Sequence, residues 1–258
     1  MWFISSNSKL PKIAKHILLL TAILTNAGCG GTNLLQFYFG DLFVKGSHSS
    51  SSDKNAAQLA SEGTKNMRDK DYGGAIKAFQ KLKEQYPYSK YAILAELKLG
   101  DAHFYKKQYN EASLAYEEFA RLHPRNEVVP YVLYQIGMCH FLNFTTIDRD
   151  PQETLQAMES FQRVIQTYPE SEYAQKATKQ LFECHKRIVA HEFYVGQFYY
   201  HLGEFHASKE RLEKISRDYP QAVKELGYRD EISKMCSTCE RHEIEGGKKP
   251  SIWTRLGF

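Results

Sequence analysis

Tyr72-Gly73-Gly74-Ala75-Ile76-Lys77-Ala78-Phe79 returns 37 residues later as Tyr109-Asn110-Glu111-Ala112-Ser113-Leu114-Ala115-Tyr116. A glycine lies 12 residues before the central alanine of each copy, at Gly63 and Gly100, and a proline lies 12 after it, at Pro87 and Pro124. Small residues at these positions let two antiparallel helices approach closely, and a proline ends the second helix by removing a backbone donor. Ala75, Ile76, Phe79 and Leu82 fall on one stripe at helical spacing, and no alternating strand pattern competes.

The grid resembles the tetratricopeptide repeat. A third copy uses Gly137, Ala157, Phe161 and Pro169, with eight residues inserted between its helices, and a fourth uses Gly196, Ser208, Leu212 and Pro220. A fifth has at most its first helix, near Lys224 to Cys236. The expected fold is therefore all-α, a superhelix of about four to five helix-turn-helix repeats. The turn Tyr86-Pro87-Tyr88-Ser89 recurs as Tyr168-Pro169-Glu170-Ser171, and Ser89 and Ser171 are expected to cap the helices that follow. With no strong breaker between Pro169 and Gly196, one long helix is expected from about Glu172 to His201.

The beginning of the chain has a different character. Lys9, Lys12 and Lys15 precede the apolar run Ile17 to Leu24, and small residues lead into Cys29, an order that reads as a signal peptide over 1–28. The run is too short for a membrane-spanning helix. Asn26-Ala27-Gly28-Cys29 resembles a bacterial lipobox with Asn26 where leucine is usual, which implies acylation of Cys29; ordinary cleavage near Ala27 is the alternative. Gly30 stands where an aspartate would resemble an inner-membrane retention signal, so the expected location is the periplasmic face of the outer membrane. Residues 29–55 read as a lipidated start and a flexible tether. They include the aromatic segment Leu34 to Val44 and the serine run Ser49 to Ser52. That segment is read either as lying in the lipid interface or as packed on the body.

Hydrophobic residues make up 42% of the 258 and charged residues 25%, which is the composition of a folded chain. The net charge of +4 is spread among interleaved acids, so no footprint for a nucleic-acid backbone appears. With 17 Tyr and 15 Phe against 2 Trp, tyrosine supplies most rings for contact surfaces. Stacked helix pairs leave a concave face lined by the first helix of each pair. On that register the peptide-groove candidates are Met67, Arg68, Leu97, Phe104, Tyr105, Tyr131, Tyr134, Phe141 and Leu142. Each competes with ordinary packing between repeats.

Catalysis and metal binding find little support. Cys236 and Cys239 form a CxxC pair with His242 three residues on, but no second pair completes a four-ligand site and no strand precedes the motif. Cys139 and Cys184 are free thiols or a disulfide. No nucleophile elbow, phosphate loop or zinc-protease motif accompanies the serines, histidines and aspartates. No catalytic residue, metal site or cofactor is assigned.

Tyr86-Pro87-Tyr88-Ser89 before a helix, the loop Asp148-Arg149-Asp150-Pro151-Gln152, and Glu192 to Tyr200 with Gly203 after it together resemble the BamD/ComL family, lipoproteins of the outer-membrane β-barrel assembly machinery. The resemblance covers about residues 56 to 235. It implies that the repeats of 56–170 receive unfolded outer-membrane protein clients. It also implies that the long helix and repeats of 171–240 dock on the barrel-forming assembly protein, with accessory assembly lipoproteins as further partners. The basic, Gly-containing tail 241–258 falls outside it. Other periplasmic repeat lipoproteins, such as a pilus or secretin pilot or a cell-wall coordinator, are the alternative; a cell-wall enzyme with a repeat arm lacks a domain for its active site.

Overall fold

The structure is a computed structural model that describes residues 51–143, 146 and 151–244. Cys29, the aromatic segment, most of the Asp148 to Gln152 loop and the tail beyond Ile244 lie outside these. Ten helices and no strand occur among the described residues. They are α1 (Ser51–Arg68), α2 (Tyr72–Gln85), α3 (Ala92–Tyr105), α4 (Tyr109–Leu122) and α5 (Val129–Asn143), then α6 (Gln152–Thr167), α7 (Glu172–Leu202), α8 (Phe205–Asp218), α9 (Pro220–Glu225) and α10 (Arg229–Ile244). The last part of the serine run, expected as tether, is already the first turn of α1.

From α1 to α9 each helix packs on the next, and α10 packs back on α8, so α1/α2, α3/α4, α5/α6 and α7/α8 form four hairpins. The second helix of each presents a narrow apolar stripe, such as Ala75, Ala78, Phe79 and Leu82 on α2 or Ala112, Ser113, Tyr116 and Phe119 on α4. The first helices α3 and α5 lie between neighbours and are buried around most of their circumference. Phe79, Tyr116 and Phe161 are fully buried, each contributing roughly 1.5–3 kcal/mol from removal of its ring from water.

The repeat spacing has a steric cause. A Cβ added at Gly63, Gly100 or Gly137 would stand 2.6 Å from the ring of Phe79, Tyr116 or Phe161. In each hairpin the ring of the second helix lies against the bare backbone of the first. The fourth hairpin repeats the crossing with Gly196 against Leu212, and Ser208 donates its hydroxyl to the Gly196 carbonyl at 2.8 Å.

Helix ends follow a shared turn. The amide of Asp71 donates to Asn66 O and that of Lys70 to Met67 O; in the next hairpin Gln108 donates to His103 O and Lys107 to Phe104 O. This is the turn in which the residue after the helix adopts a left-handed backbone. Gly203 and Gly227 take that conformation after α7 and α9, but Lys70 (φ 61°) and Lys107 (φ 63°) take it after α1 and α3, at a cost of about 1 kcal/mol relative to glycine. Ser171 caps α7 by accepting from the Ala174 amide at 3.2 Å. Ser89, expected to do the same for α3, does not: the helix starts two residues later behind Tyr91, and the Ser89 hydroxyl is buried without a partner.

Expected from about Glu172 to His201, the long helix α7 runs Glu172–Leu202 and is about 46 Å long at 1.5 Å per residue. Its first half packs on α5 and α6, and its second half on α8. Val189 and Phe193 join Leu212, Ile215, Val223, Ile232 and Met235 in the core beneath α9 and α10. Helix α10 buries Ile232, Met235 and Cys239 and turns Glu231, Ser233, Lys234, Ser237 and Glu240 outward. That polar outer face closes the stack, as a terminal cap must.

Candidate functional site

The nine candidate residues separate into three groups. Leu97 is only 1% exposed; lodged in α3 between flanking helices, it supports the face without reaching a ligand. This corrects its assignment as a contact residue. Met67 and Arg68 end α1, Phe104 and Tyr105 end α3, and Leu142 lies one residue from the end of α5. They stand at the hairpin tips rather than midway along a groove. The tips are neighbours: the Tyr72 and Tyr105 rings stack at 5.7 Å, and Asn143 donates to Asn110 at 3.0 Å. Phe104 meets both Tyr105 and Tyr109 edge-on.

The third group, Tyr131, Tyr134 and Phe141, runs along α5 toward α7. Tyr173, near the start of α7, packs on both Tyr131 (5.5 Å) and Tyr134 (5.8 Å), while Tyr134 also touches Phe161. Phe141 lies under the Arg187 guanidinium, 3.4 Å from its ring centre, and its carbonyl accepts from Arg187 at 2.6 Å. Partial burial lowers the Arg187 pKa from its ordinary value. Farther along α7, Tyr194 (49% exposed) and Phe198 (54%) stand one helical turn apart with their rings in solvent. Both fall in the stretch Glu192 to Tyr200 that carries the family resemblance and neither is among the nine candidates, although their four-residue spacing places them on one stripe.

A buried carboxylate holds this face in position. Asp101, 2% exposed on α3, accepts from the hydroxyls of Tyr116 on α4 and Tyr131 on α5, both at 2.7 Å, and pairs with Lys98 at 2.8 Å. Gln135 donates to the Tyr131 hydroxyl. Burial first, then the Asp101 charge, push the Tyr116 and Tyr131 phenols well above their ordinary value, so both remain donors. Tyr131 is thereby a strut linking hairpins two and three as well as part of the face.

One arrangement has the outline of a nucleophilic triad: Ser113 Oγ lies 3.4 Å from His140 Nε2, and His140 Nδ1 lies 3.0 Å from Glu153. Its surroundings are those of a structural tie. Ser113 is buried in mid-helix, its backbone amide belongs to the α4 ladder, and its hydroxyl donates to Glu117 at 3.2 Å. An oxyanion needs free donors aimed at it, and the three side chains instead join α4, α5 and α6. Cys139, Cys184, Cys236 and Cys239 are free thiols. Burial pushes Cys139 and Cys184 to about 12 and Cys236 to about 11, far from the depressed values of reactive cysteines. No group of three or more His, Cys, Asp or Glu able to hold a metal occurs among the described residues.

A family model described as an outer membrane lipoprotein, YfiO, matches residues 52–236, from the first helix to α10. The chain belongs to this family. Relatives of the chain include an outer membrane protein assembly factor BamD of Neisseria gonorrhoeae, 27% identical over 195 residues that cover 69% of this chain and 73% of the relative. A protein of the same description from Vibrio cholerae serotype O1 is 25% identical over 205 residues, covering 70% and 85%. Among solved structures, a crystal structure of MamA protein is similar to this chain, with 20% identity and a TM-score of 0.38, over 77% of this chain and 98% of that one.

Proposed function

We propose that this protein is a scaffold lipoprotein of outer-membrane protein assembly, tethered by acyl chains on Cys29 at the periplasmic face of the outer membrane. The observation that carries the reading is the family match over the whole helical body, with relatives described as assembly factors. No helix among the described residues is long and apolar enough to cross a membrane. Membrane attachment is assigned to Cys29 on its lipobox-like setting, and several acyl chains together give stable anchoring. The protein acts by binding and not by catalysis. Unfolded client segments lie on the ring-bearing face of α5 and α7, where Tyr134, Phe141, Tyr194 and Phe198 offer apolar area on rigid helices; rings held in place by packing spare much of the ordering cost of binding. The second half of the body, α7 to α10, docks on the barrel-forming assembly protein, and accessory lipoproteins complete the set of partners.

Copurification of the intact protein from detergent-solubilised membranes tests this reading. Recovery of a large outer-membrane β-barrel protein is the expected result. Recovery of a secretin ring in its place would move the protein to the alternative of a secretin pilot.

A further inference from the structure

The tips of the first two hairpins form a surface that the client face does not use. Both carry a lysine in the left-handed position of the same turn, Lys70 and Lys107, where Gly203 and Gly227 serve elsewhere in the molecule. Folding alone favours glycine at such a position, so a side chain retained twice, 37 residues apart, points to a use for the side chain. Two residues beyond each lysine stands a tyrosine, Tyr72 and Tyr109, and the Tyr72–Tyr105 stack joins the two tips. Tyr105 remains 54% exposed. Lys106 extends the cationic edge; with Arg68 against Asp69, Lys70 against Asp71 and Glu111 in the first turn of α4, the cationic excess of the two tips lies at Lys106 and Lys107. Asp71 is occupied in capping α2, where it accepts from the Gly74 amide at 2.9 Å. The turns are firmly held, tip two by a His103–Gln108 side-chain contact at 3.1 Å in addition to its backbone bonds.

From this juxtaposition we infer that the tips of the first two hairpins form a contact surface for anionic phospholipid headgroups, with Lys70, Lys106 and Lys107 pairing with phosphates and the Tyr105 ring lying at headgroup depth. Lysines reach phosphate from a flexible stem, and amphipathic rings favour the boundary between water and acyl chains. The inference rests on the reading that Cys29 is acylated. The 21 residues between Cys29 and α1 span at most about 70 Å when extended, which keeps the body close enough to a bilayer for a weak second contact to form. Such a contact orients the body, since the first attachment makes the second intramolecular.

The test places a photo-crosslinking residue at Tyr105 (Tyr105→p-benzoylphenylalanine) or, as a control at the other end of the hairpins, at Tyr88. The full processed lipoprotein is held in nanodiscs of phosphatidylglycerol or of phosphatidylcholine. Lipid adducts at position 105 are expected to exceed those at 88 at least fivefold in phosphatidylglycerol and to fall at least tenfold in Lys70→Glu/Lys106→Glu/Lys107→Glu. Lys107→Gly, which keeps the turn and loses the charge, is expected to melt higher while losing several-fold in adduct. Equal adducts at both positions, indifference to the charge reversals, or adducts of position 105 with an added client peptide in place of lipid would each overturn the inference. A chain that fails to enter discs through Cys29 contradicts the anchor reading instead; the same probes are then read with the chain held by a polyhistidine tag on nickel-chelating lipid.

Discussion

The second and fourth hairpins solve the same packing problem with different chemistry. In the second, Gly100 meets the Tyr116 ring, and that ring's hydroxyl bonds a buried carboxylate that also takes a hydroxyl from the third hairpin. In the fourth, Gly196 meets a leucine, a serine hydroxyl supplies one bond to the Gly196 carbonyl, and the pair Arg211–Glu192 at 2.7 Å lies partly exposed. The first arrangement is rigid and specific because an ionised group out of water depends on every partner it has. The second is more forgiving: an aliphatic end can move, and its polar bond is local. The part of the proposed client face carried by α5, which Tyr131 ties to Asp101, is thus the more tightly determined, while Tyr194 and Phe198 extend that face onto the more forgiving hairpin.

Removing the central polar group in each half separates the two most widely. Asp101→Ala strands two buried hydroxyls and Lys98, and is expected to cost about 3–5 kcal/mol, whereas Ser208→Ala removes one neutral bond and is expected to cost about 1 kcal/mol. Chemical denaturation followed by circular dichroism measures both, and equal losses would end the contrast. A finer probe is a methyl group at each crossing. Gly100→Ala forces the Tyr116 ring from a packed site, and overpacking of about 1–3 kcal/mol outweighs the roughly 1 kcal/mol gained in helix propensity. At Gly196 the added carbon meets buried Leu212, with Cδ2 at 2.8 Å and Cγ at 3.1 Å, where a rotatable aliphatic end has to shift in place of a rigid ring. The two terms then nearly cancel, and the unfolding midpoint of Gly196→Ala is expected to stay close to that of the parent.

An effect that is absent at neutral pH and grows only in alkali completes the comparison. Burial raises the thiols of Cys139 and Cys184 from 9.0 to about 12, so the folded state keeps these protons longer than the unfolded chain does. Their contribution is complete below about pH 9 and is lost as pH rises from there toward 12. Tyr116 and Tyr131, raised from 10.0, add to the loss above pH 10, and both belong to the first half. The urea midpoint is expected to be flat from about pH 7 to 9 and to fall above pH 9, with a steeper fall above 10 that Tyr116→Phe/Tyr131→Phe reduces.

Much of this was legible because sterics punctuate the chain. A glycine 16 residues before a ring, with a small residue four before that ring, marks a crossing in the first two hairpins, and the eight-residue insertion merely lengthens the third. The absence of a breaker between Pro169 and Gly196 announced α7. Asp101 was missed because its partners lie 15 and 30 residues away and a single acid reads as a solvated position; its place among Leu97, Leu99 and Ala102 was the available signal. That five of the groove candidates stand at hairpin tips was hidden for a local reason. Phe104 and Tyr105 continue the apolar pattern of α3, but a left-handed lysine two residues on ends the helix, and nothing in a lysine announces that conformation as a glycine does. Ser89 has the composition of a cap in a turn whose helix begins two residues later.

Capture of a client segment is the most direct trial of the central claim that rings on rigid helix pairs bind polypeptide. Binding of a fluorescent peptide from the aromatic-ended C-terminus of an outer-membrane β-barrel protein is compared, by anisotropy, between the parent chain and Tyr134→Ala/Phe141→Ala, with circular dichroism verifying the fold. Saturable binding by the parent and a loss of tenfold or more in the folded double variant are expected. Unchanged affinity in a variant with parental helicity would contradict that claim.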